Sequence, residues 1–99
     1  MADVIPEEHM RHLYAPIHSS KHPSLDGMVL FEVVDADGRA VHLAIRYLSF
    51  RDQEIDGDHL YLDGLEAAKA ELESAFDISS VEWRPLTSTE ADAVEATIG

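Results

Sequence analysis

The chain has 99 residues, of the size of one domain, and sets 20 acidic side chains against 7 basic ones for a formal net charge of −13. A field of that sign repels nucleic acid and anionic membrane and attracts basic surfaces, so direct nucleic-acid binding and membrane docking are excluded as first readings. The absence of cysteine excludes disulfides and thiolate chemistry, and an apolar fraction of 45% excludes a disordered chain.

The charge is lopsided: net −2 over residues 1–27, −1 over 28–50 and −10 over 51–99. There is no asparagine, and five arginines accompany two lysines. Few lysines and many acids are also the surface of a salt-adapted protein, whose charge serves solubility alone. The N-terminus lacks a basic segment followed by an apolar one, so no secretory signal is expected. No apolar run approaches the roughly 20 residues of a membrane span. With no cysteine, a reducing compartment fits, and the expected location is cytoplasmic.

Residues 1–27 contain Pro6, Pro16 and Pro23 and read as a semi-ordered N-terminal arm of the single domain 1–99. Met10, Leu13, Tyr14 and Ile17 recur at helical spacing, which predicts a short helix cut off by Pro16. Ser19–Ser24 reads as loop.

The clearest element is a β-hairpin with arms 28–34 and 40–48. Its turn, Asp35-Ala36-Asp37-Gly38, predicts a type I turn closed by Gly38 in the left-handed conformation as a G1 bulge. That register sets Val33 opposite Val41, Phe31 opposite Leu43 and Val29 opposite Ile45, with Glu32 opposite His42 on the other face. A slip of one residue would mix apolar and polar faces, so the pattern selects this pairing.

Residues 51–58 read as an acidic loop and His59–Leu62 as a short strand. A helix near 63–77 follows, with Asp63 as N-cap and Glu66 completing a capping box. Its apolar stripe is Leu65, Ala68, Leu72, Ala75 and Phe76. Residues 79–84 read as a strand with Val81 and Trp83 inward, ended or confined to a sheet edge by Pro85. A last helix near 87–97 starts at Thr87, with Glu90 in a second capping box and a thin stripe of Ala91, Val94 and Ile98 that predicts a loose dock. The expected class is α+β: a small mixed or antiparallel sheet built on the hairpin, with the helices on one face.

Three candidate chemistries emerge. The acids Asp52, Glu54, Asp56, Asp58, Glu66, Glu71, Glu73, Asp77, Glu90, Asp92 and Glu95 form a candidate partner-binding surface, with Glu82 between them in sequence. Acids three or four apart on a helix lie about 5 Å apart along its axis. That is sparser than the one charge per roughly 1.7 Å of duplex axis, but near the spacing along one strand. Such a surface suits a basic protein, including one that handles nucleic acid, as inhibitors, immunity proteins and nucleic-acid mimics do by charge and size. Alternatively, His9, His12, His18 and His22 offer imidazoles for zinc or another divalent metal, although their spacing is not the H-E-x-x-H pattern. The same cluster would gain charge near pH 6–6.5. The third reading is the halophile one, a structural or oligomer-forming domain.

Two weaker patterns complete the reading. Asp52 to Asp63 partly matches a calcium loop, but His59 takes an apolar position and Asp63 stands in place of the closing Glu, so an acidic connector is the better expectation. Glu32 and His42 could act as an acid–base pair on an exposed sheet face. No serine stands in a G-x-S-x-G setting and the glycines are isolated, so nucleophilic catalysis and a phosphate loop find no support.

Overall fold

The hairpin stands at the centre of the fold. The computed structural model describes residues 12–98. Strand β2 (Gly27–Val34) pairs with β3 (Ala40–Ser49) in the expected register, Val33↔Val41, Phe31↔Leu43, Val29↔Ile45 and Glu32↔His42. Gly38 has φ 81° and donates its N–H to the Asp35 carbonyl at 3.0 Å, while the Asp35 N–H reaches the Arg39 carbonyl at 2.9 Å. The Asp35 carboxylate accepts from the Asp37 and Arg39 amides, both at 2.9 Å, which fixes the turn from inside.

Around this hairpin the chain builds a five-stranded antiparallel sheet in the order β4 (Glu54–Tyr61), β3, β2, β1 (Leu13–Pro16), β5 (Arg84–Pro85). Strand β1 (Leu13–Pro16) replaces the short helix expected there, pairing Leu13 with Leu30 and Tyr14 with Val29. The reason is local and tertiary together. Ala15 precedes proline and is driven to extended backbone, and the free edge of an apolar β2 needs a hydrogen-bonding neighbour. Strand β4 (Glu54–Tyr61) takes up most of the expected acidic loop, leaving a tight turn in which Gln53 adopts φ 54° and donates to the Phe50 carbonyl at 3.1 Å. A bulge falls at Asp56, since Gly57 stands opposite Arg46 and Ile55 opposite Tyr47. With 54–61 laid out as an edge strand, these residues do not wrap round as the ligand loop of a calcium site must.

The strand expected at 79–84 is instead a 3-10 turn at Ser80–Glu82, followed by the two-residue edge strand β5 (Arg84–Pro85) beside β1. Pro85 sits on the sheet edge, as its missing N–H demands. Val81 is exposed, whereas Trp83 packs inward and donates its indole N–H to Glu73 at 2.8 Å.

The class is α+β as expected, but the two helices lie on opposite faces of the sheet. Helix α1 (Leu65–Phe76) buries Ala68 and Leu72 in a core with Met28, Leu30 and Ala44. Helix α2 (Ser88–Ile98) buries Ala91 and Val94 in a second core with Val29, Phe31, Ile45 and Tyr47. Alternate residues of β2 and β3 therefore feed two separate cores. Both faces of β2 are apolar from Met28 to Phe31, and a sheet covered on one side only would leave one set of those side chains in water.

The helix starts differ as well. Thr87 and Glu90 form the expected reciprocal box: the Thr87 N–H donates to Glu90 at 2.9 Å and the Glu90 N–H to the Thr87 hydroxyl at 3.1 Å. At α1 the N-cap is Gly64, one residue after Asp63, and no side chain caps it. The thin stripe of α2 docks closely, with Val94 fully buried.

Candidate functional site

The eleven candidate acids divide into two groups by what they touch. Six are engaged within the chain. Arg46 Nε donates to Asp56 at 3.1 Å, the Ser49 hydroxyl to Asp52 at 3.1 Å, the Ser19 hydroxyl to Asp77 at 2.8 Å, and Tyr61 to Glu71 at 3.4 Å. Trp83 holds Glu73 as described, and Arg84 grips both oxygens of Glu90 at 2.8 and 2.9 Å. The other five, Glu54, Asp58, Glu66, Asp92 and Glu95, are exposed and make no hydrogen bond or ion pair among the described residues.

These five do not form one continuous surface. Glu66 rides on α1, Asp92 and Glu95 ride on α2 across the sheet, and Glu54 and Asp58 lie on the outer strand β4. The two-core architecture separates the acids of the helices, which helices on a single face would have joined.

Strand β4 is one of the two sheet edges. The other edge, β5, is two residues long and ends in proline. Beyond the acids, β4 and the residue that follows it expose Leu60 and Leu62, at 46% and 62% of full exposure. Gly57 lets the Arg46 guanidinium lie across the strand, since a Cβ there would collide with its terminal nitrogen. Arg46 is thereby delivered to Asp56, and the bulge residue is neutralised while its neighbours are not.

The histidines do not converge. His9 lies outside the described residues. His12 stacks on Phe31 at 3.8 Å between ring centres, and its Nδ1 accepts the Glu32 N–H at 3.1 Å. His18 is exposed and lies 3.5 Å from Glu82, and His22 leans against Phe76 at 4.8 Å. Among the described residues no three metal-ligating side chains gather. The calcium reading meets the same result.

Nor is the Glu32–His42 pair on an open face. His42 is 7% exposed, and its Nδ1 is buried without a hydrogen bond among the described residues. It occupies the α1 side of β3, in phase with Ala44, so proton exchange with a substrate has no access there.

The structure also brings together groups that sequence reasoning passed over. A cavity of about 440 Å³ lies between Tyr14, Phe50, Arg84 and α2. Tyr14 stacks on Phe50 at 4.5 Å, Phe50 meets Tyr47 edge-on at 5.1 Å, and Arg84 sits 4.9 Å above the Tyr14 ring. Burial raises the Tyr14 pKa, helped by the nearby Asp26 carboxylate. Burial alone pushes Tyr47 up to about 12. Several polar groups here are tied to neighbours: Tyr47 donates to Gln53 at 3.2 Å, Asp26 accepts the Phe50 N–H at 2.8 Å, and Arg84 is held by Glu90. The cavity lies at a joint between elements, where the Arg84–Glu90 pair ties β5 to α2. The only sequence signal for it was the recurrence of Tyr14, Tyr47 and Phe50 on β1 and at the end of the hairpin.

Comparison with protein-family models, with curated proteins and with solved structures returns no match. Among the described residues no helix is long and apolar enough to cross a membrane.

Proposed function

We propose that this protein is a small, non-enzymatic acidic binding module that docks the basic surface of another protein, in the manner of an inhibitor, an immunity protein or a nucleic-acid mimic. The observation that carries the reading is the set of five solvent-facing carboxylates without a partner among the described residues, in a chain of net charge −13. The carboxylates of Asp56 and Glu90 are already neutralised by arginine and those held by a hydroxyl or indole are fixed in place, whereas free ones remain available to a cationic surface. Association of this kind is fast and steeply salt-dependent.

The test is capture of partners from the organism's own extract at low salt, with identification of what binds. The reading expects basic proteins, released by a few hundred millimolar potassium chloride. They should be absent from a variant in which Glu54, Glu66 and Glu95 become glutamine and Asp58 and Asp92 become asparagine. An identical set of proteins on both forms refutes it.

The spread of the free acids over both sides of the sheet favours a second reading, in which the charge serves solubility at high salt. The thermal midpoint across a potassium chloride series separates the two. A rise that continues into the molar range supports salt adaptation, because mutual repulsion among the acids is then the dominant strain. A rise that saturates within a few hundred millimolar leaves the acids to a partner.

A further inference from the structure

We infer that the docking site is the open edge of β4, and that the basic partner binds there as an added antiparallel strand; the inference rests on the acidic-module reading and specifies its geometry. The carrier is the strand edge itself. Eight residues, Glu54–Tyr61, form the outermost strand, and among the described residues no element pairs with their outer side. The backbone phase can be read from neighbouring bonds. The carbonyls of Arg39 and Tyr47 accept from Asp35 and Asp26 on the β2 side. Antiparallel pairs alternate, so the even residues of β3 turn their backbone groups to β4. Ala44 and Arg46 stand opposite His59 and Gly57, which are therefore the inward members. The N–H and C=O of Asp58 and Leu60 then point outward, unused by the sheet. An added strand takes its affinity from such groups and its specificity from the flanking side chains.

Those side chains select the occupant. Native edges are blunted by charges, proline, bulges or covering elements; β4 has its bulge at Asp56 and acids but no lysine or proline, and beyond Gly57 its pairing is regular. Two copies of a chain of net charge −13 repel one another, which disfavours a second copy as the occupant. The acids of β4 favour a strand with Lys or Arg opposite Asp58. Leu60, half-exposed one pleat further along on the same side, offers an apolar neighbour for the aliphatic stem of such a side chain. The bulge at Asp56 and its pairing with Arg46 limit the open stretch to the half of the strand after Gly57.

The test uses a fluorescein-labelled peptide of eight alternating lysine and valine residues, titrated against the full-length protein at low salt. Leu60→Pro removes an outward N–H that the sheet does not use and changes no charge, and it should weaken binding at least tenfold. Its melting curve reports whether the fold survives. If it does not, the Glu54→Lys/Asp58→Lys variant substitutes, with the peptide of alternating glutamate and valine expected to bind in place of the lysine one. In ¹⁵N-labelled protein, exchange of the Asp58 and Leu60 amides should slow when peptide is added. A folded Leu60→Pro protein that binds like the wild type overturns the edge site. So does exchange protection confined to the helices. Weakening only in Glu66→Gln/Asp92→Asn/Glu95→Gln overturns the edge and leaves the acidic-module reading standing. Failure of the wild-type protein to bind the peptide overturns the edge site, and an empty partner capture in the extract then removes the broader reading as well.

Discussion

Tyr14 lays its ring across the Cα of Gly27, filling the space where any other residue would carry its Cβ. The ring is not free to leave, because Phe50 stacks on it at 4.5 Å and Arg84 sits 4.9 Å from its centre. Gly57 and Arg46 stand in an outwardly similar relation on β4, but there the intruding atoms are the end of a flexible, half-exposed side chain. The two glycines should respond differently. Gly27→Ala should destabilise the fold by about 1–3 kcal/mol, as overpacking does in a filled site. Gly57→Ala should cost about 0.5 kcal/mol or less, the scale of a surface substitution, and mainly release Arg46 from Asp56. Paired denaturant titrations check this, and equal costs at the two positions would show that the Tyr14 ring yields as readily as the arginine does.

The Arg84–Glu90 grip joins β5 to the first turn of α2 and doubles as the capping box. The hydrogen bonds from Arg84 hold the Glu90 carboxyl below its ordinary value, with the Thr87 N–H adding to the effect. A depressed folded pKa contributes stability that is fully present above the unfolded value of 4.5 and is lost as pH falls through the folded one. Glu90→Gln should therefore lower stability by about 0.2–1 kcal/mol near neutral pH, the scale of a partly exposed ion pair, since glutamine can still complete the capping box. The gap to the wild type should close below pH 4.5. Thermal midpoints of both proteins from pH 7 to pH 3 provide the measurement, and a gap that persists unchanged at the acid end rejects the linkage.

The buried phenol of Tyr47 titrates near 12, against an ordinary value of 10.0. Its folded pKa lies above the unfolded one, so its contribution is intact below pH 10 and is lost as pH rises through 12. Tyrosinate absorbance should then rise late for the native protein, with Tyr14 and Tyr61 also raised. Tyr47→Phe should delete the last step of that rise. A Tyr47 that ionises with the unfolded value would mean that the joint at Gln53 is open to water.

At the hairpin turn, Gly38 has φ 81° and a Cβ added there would meet nothing within 4 Å, so its requirement is conformational alone. Gly38→Ala should cost about 1 kcal/mol, the penalty of a left-handed backbone for a residue with a Cβ. Asp35→Ala, which removes the acceptor of two turn amides, should cost a similar amount. Chemical denaturation of both variants, with an unchanged denaturant slope, checks that the loss is local.

Where physics is local, the sequence determined the structure. The alternation of Val29, Phe31 and Val33 against Val41, Leu43 and Ile45 fixed the hairpin register, because a one-residue slip exposes an entire face. Asp35 and Gly38 fixed the turn, and Thr87 with Glu90 fixed the start of α2, since each satisfies backbone groups within a few residues. The charge of the chain was likewise legible before folding. What tertiary structure alone decided is how these pieces are distributed. Leu13–Pro16 became a strand because β2 needed a second neighbour, and residues 54–58 became an edge because β3 did. The unbroken apolar run Met28–Phe31 held the one sequence signal for helices on both faces, since a strand wet on one side alternates. Which acids are free was not readable from the chain: Glu73 and Glu90 are neighbours of Trp83 and Arg84 only because the sheet and helices bring them there, while Asp58 keeps its charge to itself on the edge.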